Sequence, residues 1–191
     1  MQSRIQKEFN NHISISKLTL EKASDAIEKA ALMCIDCLNK GGKIILFGNG
    51  GSAADAQHIA AELVGRYKNE RKALSAISLS TDTSILTSIG NDFGYDAVFQ
   101  RQVQAIAKPN DVIIGISTGG TSDNVIRGLT AAKNIGCDTI GFSGRDGGKF
   151  NQICTLNVIV PANETARIQE MHILIGHTIC QLIDLEFTSS N

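Results

Sequence analysis

His58 and Glu62 stand four residues apart in a segment of helical spacing, so an imidazole and a carboxylate share one helix face. Gln169 and His177 lie about two turns apart in a second helical segment near the end of the chain. If the two segments meet, two imidazoles, a carboxylate and an amide oxygen converge, a donor set suited to a zinc-like ion. Spacing alone does not bring them together. A surface glutamate and histidines satisfied within the fold account for the same pattern more simply.

A second kind of chemistry is written in two short loops, Gly48-Asn49-Gly50-Gly51-Ser52 and Ser117-Thr118-Gly119-Gly120-Thr121-Ser122. Each follows an apolar run and opens a helical segment. Glycines let backbone approach a ligand closely, and the free N–H groups of a helix start together with Ser/Thr hydroxyls donate to phosphate oxygens without any net charge. Either loop alone is equally well read as helix capping and turn chemistry, with Ser52 and Ser122 as N-caps. Neither is a Walker A loop or a GxGxxG fingerprint, which argues against a nucleotide. Asn91-Asp92 has the residue types to hold sugar hydroxyls and also suits a turn. Asp55 and Gln57 lie on the helix after the first loop, where Asp55 either complements the helix dipole or orients a base. Arg66 could pair with a substrate or a carboxylate, although a lone arginine near a helix end is usually solvated, and His12 and His172 read as structural.

The elements that must position these groups follow from periodicity. Residues 20–40 carry Ala23, Ile27, Ala30, Ala31, Cys34 and Leu38 at three- and four-residue steps, an amphipathic helix stopped by Gly41-Gly42. Five short runs rich in β-branched residues, 43–47, 74–79, 111–116, 138–142 and 156–160, read as buried strands. Helical spacing returns at 52–67, at 82–89 with 97–107, at 122–135 and at 163–187. Strand and helix alternate, which predicts a doubly wound α/β fold of three layers, with a five-stranded parallel sheet flanked by helices and helical elements at both ends of the chain. Ligands of such a sheet bind at the loops beyond the strands' carboxyl ends, where both glycine-rich loops fall. The last helix is apolar around most of its circumference and requires cover from its own sheet and from another subunit.

The 191 residues, 42% hydrophobic and 19% charged, predict one globular domain spanning 1–191. A formal charge of -1 offers no cationic field for nucleic acid or an anionic membrane. The first residues lack the apolar run of a signal peptide, and no stretch is long and apolar enough to span a bilayer, so a cytoplasmic location is expected. Five cysteines, odd in number and set among apolar neighbours, suit reduced core thiols. The Cys34/Cys37 pair has no second pair to complete a zinc site.

Gly48-Asn49-Gly50-Gly51-Ser52, His58 to Leu63, Gly65-Arg66-Tyr67, Gly90 to Tyr95, Gly115 to Thr118, Asp146-Gly147-Gly148 and Arg167 to His172, taken in order, resemble the phosphoheptose isomerases of the sugar isomerase (SIS) superfamily. The resemblance runs through almost the whole chain. It implies the five-stranded SIS fold and isomerisation of sedoheptulose 7-phosphate to D-glycero-D-manno-heptose 7-phosphate, for lipopolysaccharide or capsule. It also implies a homotetramer with active sites built from neighbouring subunits and one zinc per site, held by His58, Glu62, Gln169 and His177. Glu62 and His177 become the expected acid-base pair. The phosphate is expected on Ser52, Ser117, Thr118 and Ser122, and the sugar on Asn49, Gly50, Asn91 and Asp92, with Gly51, Gly119 and Gln169 completing the substrate contacts. The family's phosphate loop commonly reads Ser-Thr-Ser-Gly-Asn-Ser, so Gly119 removes one hydroxyl donor. A rival within the superfamily, a non-enzymatic protein that binds the replication initiator, shares the Arg167–His172 stretch but lacks the acid and base.

Overall fold

The computed structural model describes residues 1–189. Five strands, β1 (Ile44–Gly48), β2 (Ala76–Ser78), β3 (Val112–Ile116), β4 (Asp138–Gly144) and β5 (Leu156–Val160), form one sheet in the order β2-β1-β3-β4-β5. Every neighbouring pair is parallel, as the alternating pattern predicts. All five residues of β1 and of β3 are buried, which is why these strands read as continuous apolar runs rather than alternating ones.

Seven helices surround the sheet: α1 (Gln2–Asn39), α2 (Gly51–Val64), α3 (Thr83–Phe93), α4 (Val98–Ile106), α5 (Asp123–Ile135), α6 (Phe150–Ile153) and α7 (Thr165–Ser189). On one face α1, α2 and α7 pack over Ile44, Leu46, Ile114 and Phe142. On the other, α3, α4 and α5 pack over Ile45, Phe47 and Ile113. The chain moves from β1 outward to β2 on one side and from β3 outward to β4 and β5 on the other. The strand order therefore reverses between β1 and β3, and the two glycine-rich loops leave the sheet at this point.

Several elements differ from the sequence reading. Helix α1 begins at Gln2 rather than near residue 20. Its first half turns Ile5, Phe9 and Ile13 outward, so no stripe buried within this chain announces it. Helix α2 stops at Val64 rather than continuing to Tyr67, and α6 is a single turn, too short for periodicity to reveal. No helix among the described residues is long and apolar enough to cross a membrane. The five cysteines are free thiols, and burial raises the pKa of each.

Candidate active site

The two helical segments do meet. His58 Nε2 lies 3.1 Å from Glu62 Oε1 on α2 and 3.2 Å from His177 Nε2 on α7. Ligand atoms of all three residues fall within 4.8 Å of one another. The helices approach this closely because of Gly176, next to His177: a Cβ there would stand 2.5 Å from Ile59 Cδ1 on α2. Tyr67 closes one side, its ring 5.5 Å from that of His177. A tetrahedral ion with nitrogen and oxygen ligands at about 2.0–2.1 Å spaces its ligand atoms about 3.3 Å apart. The 3.1 and 3.2 Å separations from His58 are close to that edge, and with all three ligand atoms inside 4.8 Å the donor types suit a zinc-like cation once Glu62 and His177 draw closer. Gln169 reaches the start of α2, where its amide nitrogen is 2.6 Å from the position a Cβ on Gly51 would occupy. Gly51 is thus a close-approach glycine, joining the cluster's fourth expected ligand to the first loop.

An ion pair that sequence reading did not find holds α2 and α7 in register. Arg71 and Asp184, their side chains fully buried, pair at 2.9 Å. The guanidinium also donates to the backbone carbonyls of Glu62 and Leu63, at 3.0 Å each, and to that of Lys72. Asp184 accepts from the N–H groups of Asn69 and Lys68. Burial pushes the Asp184 carboxyl up, but the N–H donors of Asn69 and Lys68 and the Arg71 guanidinium together hold it below the usual carboxylate range. One arginine therefore grips the carbonyl of the residue that carries the candidate base, while its counter-ion sits on α7.

The loops are built differently. The N-cap of α2 is Gly50, so Ser52 is not a cap, and Ser122 makes no capping bond to α5 although it stands at the N-cap position. Ser122 Oγ instead lies 3.0 Å from Ser117 Oγ. The capping reading thus fails for Ser52 and holds for Ser122 in position only, and two hydroxyls face each other beside the N-terminus of α5, with Thr118 in the turn between them. Asn49 exchanges amide hydrogen bonds with Asn124 (2.8 and 2.9 Å) and accepts from the Tyr95 hydroxyl at 3.2 Å. Asn124 and Tyr95 are additions to the expected site residues: Tyr95 ends the Gly90 to Tyr95 stretch that carries the resemblance, whereas nothing in its local pattern marks Asn124. Asn91 and Asp92 lie in the last turn of α3 rather than beyond it, exposed, with Asn91 donating to Asp92 at 2.8 Å.

Other titratable groups lie on or against α2 and α7. Burial raises Asp55 to about 6, opposed by His58, and its Oδ2 is buried without a hydrogen-bond partner. His172 is fully buried, and desolvation pushes it down to about 4, although its Nε2 lies 3.0 Å from the Ser143 carbonyl. His12 pairs with Glu170 at 2.8 Å, and Glu170 also accepts from Arg167. These contacts tie the outer half of α1 to the start of α7.

Residues 8–144 match the SIS domain. The phosphoheptose isomerase of Aliarcobacter butzleri is 57% identical over 188 residues, covering 98% of this chain and all of that protein. Among solved structures, the phosphoheptose isomerase of Neisseria gonorrhoeae superimposes with a TM-score of 0.91 at 43% identity, over 96% of this chain and 98% of that one. That of Francisella tularensis gives 0.93 at 32% identity with the same coverage. By fold, by length and by sequence, the chain belongs to the phosphoheptose isomerases of the SIS family.

Proposed function

We propose that this chain interconverts sedoheptulose 7-phosphate and D-glycero-D-manno-heptose 7-phosphate, with Glu62 and His177 as the acid-base pair. The observation that carries the reading is the placement of His58, Glu62 and His177 within 4.8 Å, at the same sheet edge as two hydroxyl-bearing glycine loops. Moving a carbonyl between C2 and C1 requires one proton to leave carbon and another to pass between oxygens through an enediolate. The Glu62 carboxylate takes the proton from C1 and returns it at C2, while the His177 imidazole exchanges protons with the two oxygens. Each transfer contributes roughly 10²–10⁴-fold.

The far end of the substrate is a phosphate. Ser52, Ser117, Thr118 and Ser122 hold it with the backbone N–H groups at Gly119 and at the start of α5, a neutral donor cradle of the kind helix starts provide. Asn49, Gly50, Gly51, Asn91 and Asp92 line the sugar hydroxyls. His58, Glu62, Gln169 and His177 would hold a zinc ion, which when bound polarises the carbonyl and stabilises negative charge on its oxygen. The non-enzymatic alternative has no use for this constellation.

The assembly is read as a homotetramer with sites completed by neighbouring subunits, working in the cytoplasm in heptose supply for lipopolysaccharide or capsule. An apolar groove of about 350 Å³ between α1 and α7, with Leu20, Ile27, Leu174 and Leu182 among its walls, supports the first point. Exposed Ile5, Phe9 and Ile13 add further apolar surface on the first half of α1. Free, buried thiols support a reducing compartment. Turnover of sedoheptulose 7-phosphate by the purified protein, with and without chelator, tests the reading. Conversion lost on chelation and restored by zinc is expected, and absence of conversion in the zinc-loaded protein overturns it.

A further inference from the structure

We propose that Arg145 is a phosphate-binding residue of this site, supplying the cationic contact that the loop from Ser117 to Ser122 lacks. The proposal takes the identity of the anion, the phosphate of a phosphosugar, from the reading above. Its grounds are separate.

That loop contains hydroxyls and glycines but no charged side chain, in a protein of net charge -1. Arg145 is the first residue after β4, the strand next to β3, and so leaves the same edge of the sheet as the loop. Its N–H donates to the Ala162 carbonyl at 2.9 Å, which pins the backbone. Its φ is 59°, and among the described residues it is the one non-glycine residue in the left-handed region. Left-handed backbone is unfavourable for a residue with a Cβ, and Gly147 and Gly148 meet the same demand two and three residues later without strain. An arginine at a position where glycine would sit relaxed calls for a reason in its side chain.

That side chain crosses to the neighbouring loop. Arg145 Nη1 is 3.4 Å and Cζ 3.9 Å from the position a Cβ on Gly119 would occupy, so the guanidinium lies over the glycine that interrupts the run of hydroxyls. The two segments are joined further where Lys149 N–H donates to the Gly120 carbonyl at 3.0 Å. Of the two cations on this connection, Lys149 has a carboxylate nearby, Asp123 at 3.8 Å. The Arg145 guanidinium makes no hydrogen bond or ion pair with the described residues. A planar fork of donors, held by strained backbone against an anion-binding turn and given no protein partner, is suited to a phosphate oxygen pair. Gly119 leaves the guanidinium the space that a side chain there would contest.

The test is calorimetric titration of the full-length protein with inorganic phosphate, alongside steady-state kinetics on sedoheptulose 7-phosphate, for the native chain and for Arg145→Gln, Arg145→Lys and Arg145→Gly. Losing one charge-assisted contact is expected to weaken phosphate binding and raise KM by about tenfold in Arg145→Gln, with kcat within about twofold. Arg145→Lys should recover most of the affinity. Arg145→Gly, which relieves the backbone, should lose as much as Arg145→Gln. Phosphate affinity in Arg145→Gln within about twofold of native overturns the proposal, as does a loss in Arg145→Gln that Arg145→Gly does not share. Phosphate binding needs no turnover, so the isomerase reading and this one fail separately. Native protein that binds phosphate through Arg145 but converts no heptose phosphate overturns the first alone. Normal conversion with unaltered binding in Arg145→Gln overturns the second alone.

Discussion

The two halves of the site are held in place by different physics. His58, Glu62 and His177 ride on long helices whose mutual position is fixed by a fully buried ion pair, Arg71–Asp184, and by the contact of Gly176 with Ile59. The proposed phosphate cradle is made of residues in two turns, fixed by the strands they leave and by bonds such as Asn49–Asn124 and Ser117–Ser122. Proton transfer depends steeply on geometry, and the helices provide a rigid frame for it. Gripping a phosphate tolerates more play, and many weak donors share the task. Disturbing the first half should therefore cost rate or stability together with geometry, whereas disturbing the second should cost affinity alone.

The sharpest contrast comes from the proposed acid-base pair. Glu62→Gln and His177→Ala are each expected to lower turnover by at least about 10²-fold while leaving the thermal midpoint near native, measured by kinetics and a melting curve on the same samples. Arg71→Ala leaves Asp184 buried without its counter-ion and should cost about 3–5 kcal/mol in denaturant unfolding. A loss in the surface range, under about 1 kcal/mol, would show that the pair does not hold the helices.

The helix half should also be the acid-sensitive one. His172 on α7 is pushed down to about 4 from 6.5 by burial, so below 6.5 the unfolded chain binds the proton that the folded one refuses. Its contribution is complete above pH 6.5 and disappears as the pH falls toward 4, a loss of about 3 kcal/mol. Asp55, raised to about 6, works in the opposite sense. Between its ordinary value and about 6 the folded state holds the extra proton, so its contribution to stability grows as the pH falls through that window. Unfolding of Asp55→Asn across pH 4–7 should consequently show a steeper acid loss than the native chain. The smallest expected effect belongs to the loops: Ser122→Ala should raise KM by about three- to tenfold with no change in the thermal midpoint. A matching drop in midpoint would make Ser122 a support of α5 rather than a phosphate donor.

The same division decides what the sequence discloses. Strands β1 and β3 announce themselves because burial on both faces leaves an unbroken β-branched run, and the glycine loops are legible because their chemistry is contiguous. The meeting of His58 with His177 spans 119 residues, and that of Arg71 with Asp184 spans 113. Local spacing carries no trace of either. Family resemblance supplied the first meeting, but neither pattern nor resemblance flagged the buried pair that enforces it. The outer half of α1 escaped for another reason, since its apolar residues face away from this chain's own core. Arg145 escaped because its role depends on a backbone angle and on a glycine in a different loop.

The central claim is that Glu62 and His177 serve the same sugar carbons. Proton NMR of sedoheptulose 7-phosphate in heavy water tests it directly, by following hydrogen exchange at C1 and C2 with the native protein and with Glu62→Gln at matched phosphate affinity. The native chain should exchange and isomerise, while Glu62→Gln binds phosphate and exchanges nothing. Exchange at the native rate in Glu62→Gln would contradict the assignment of the base.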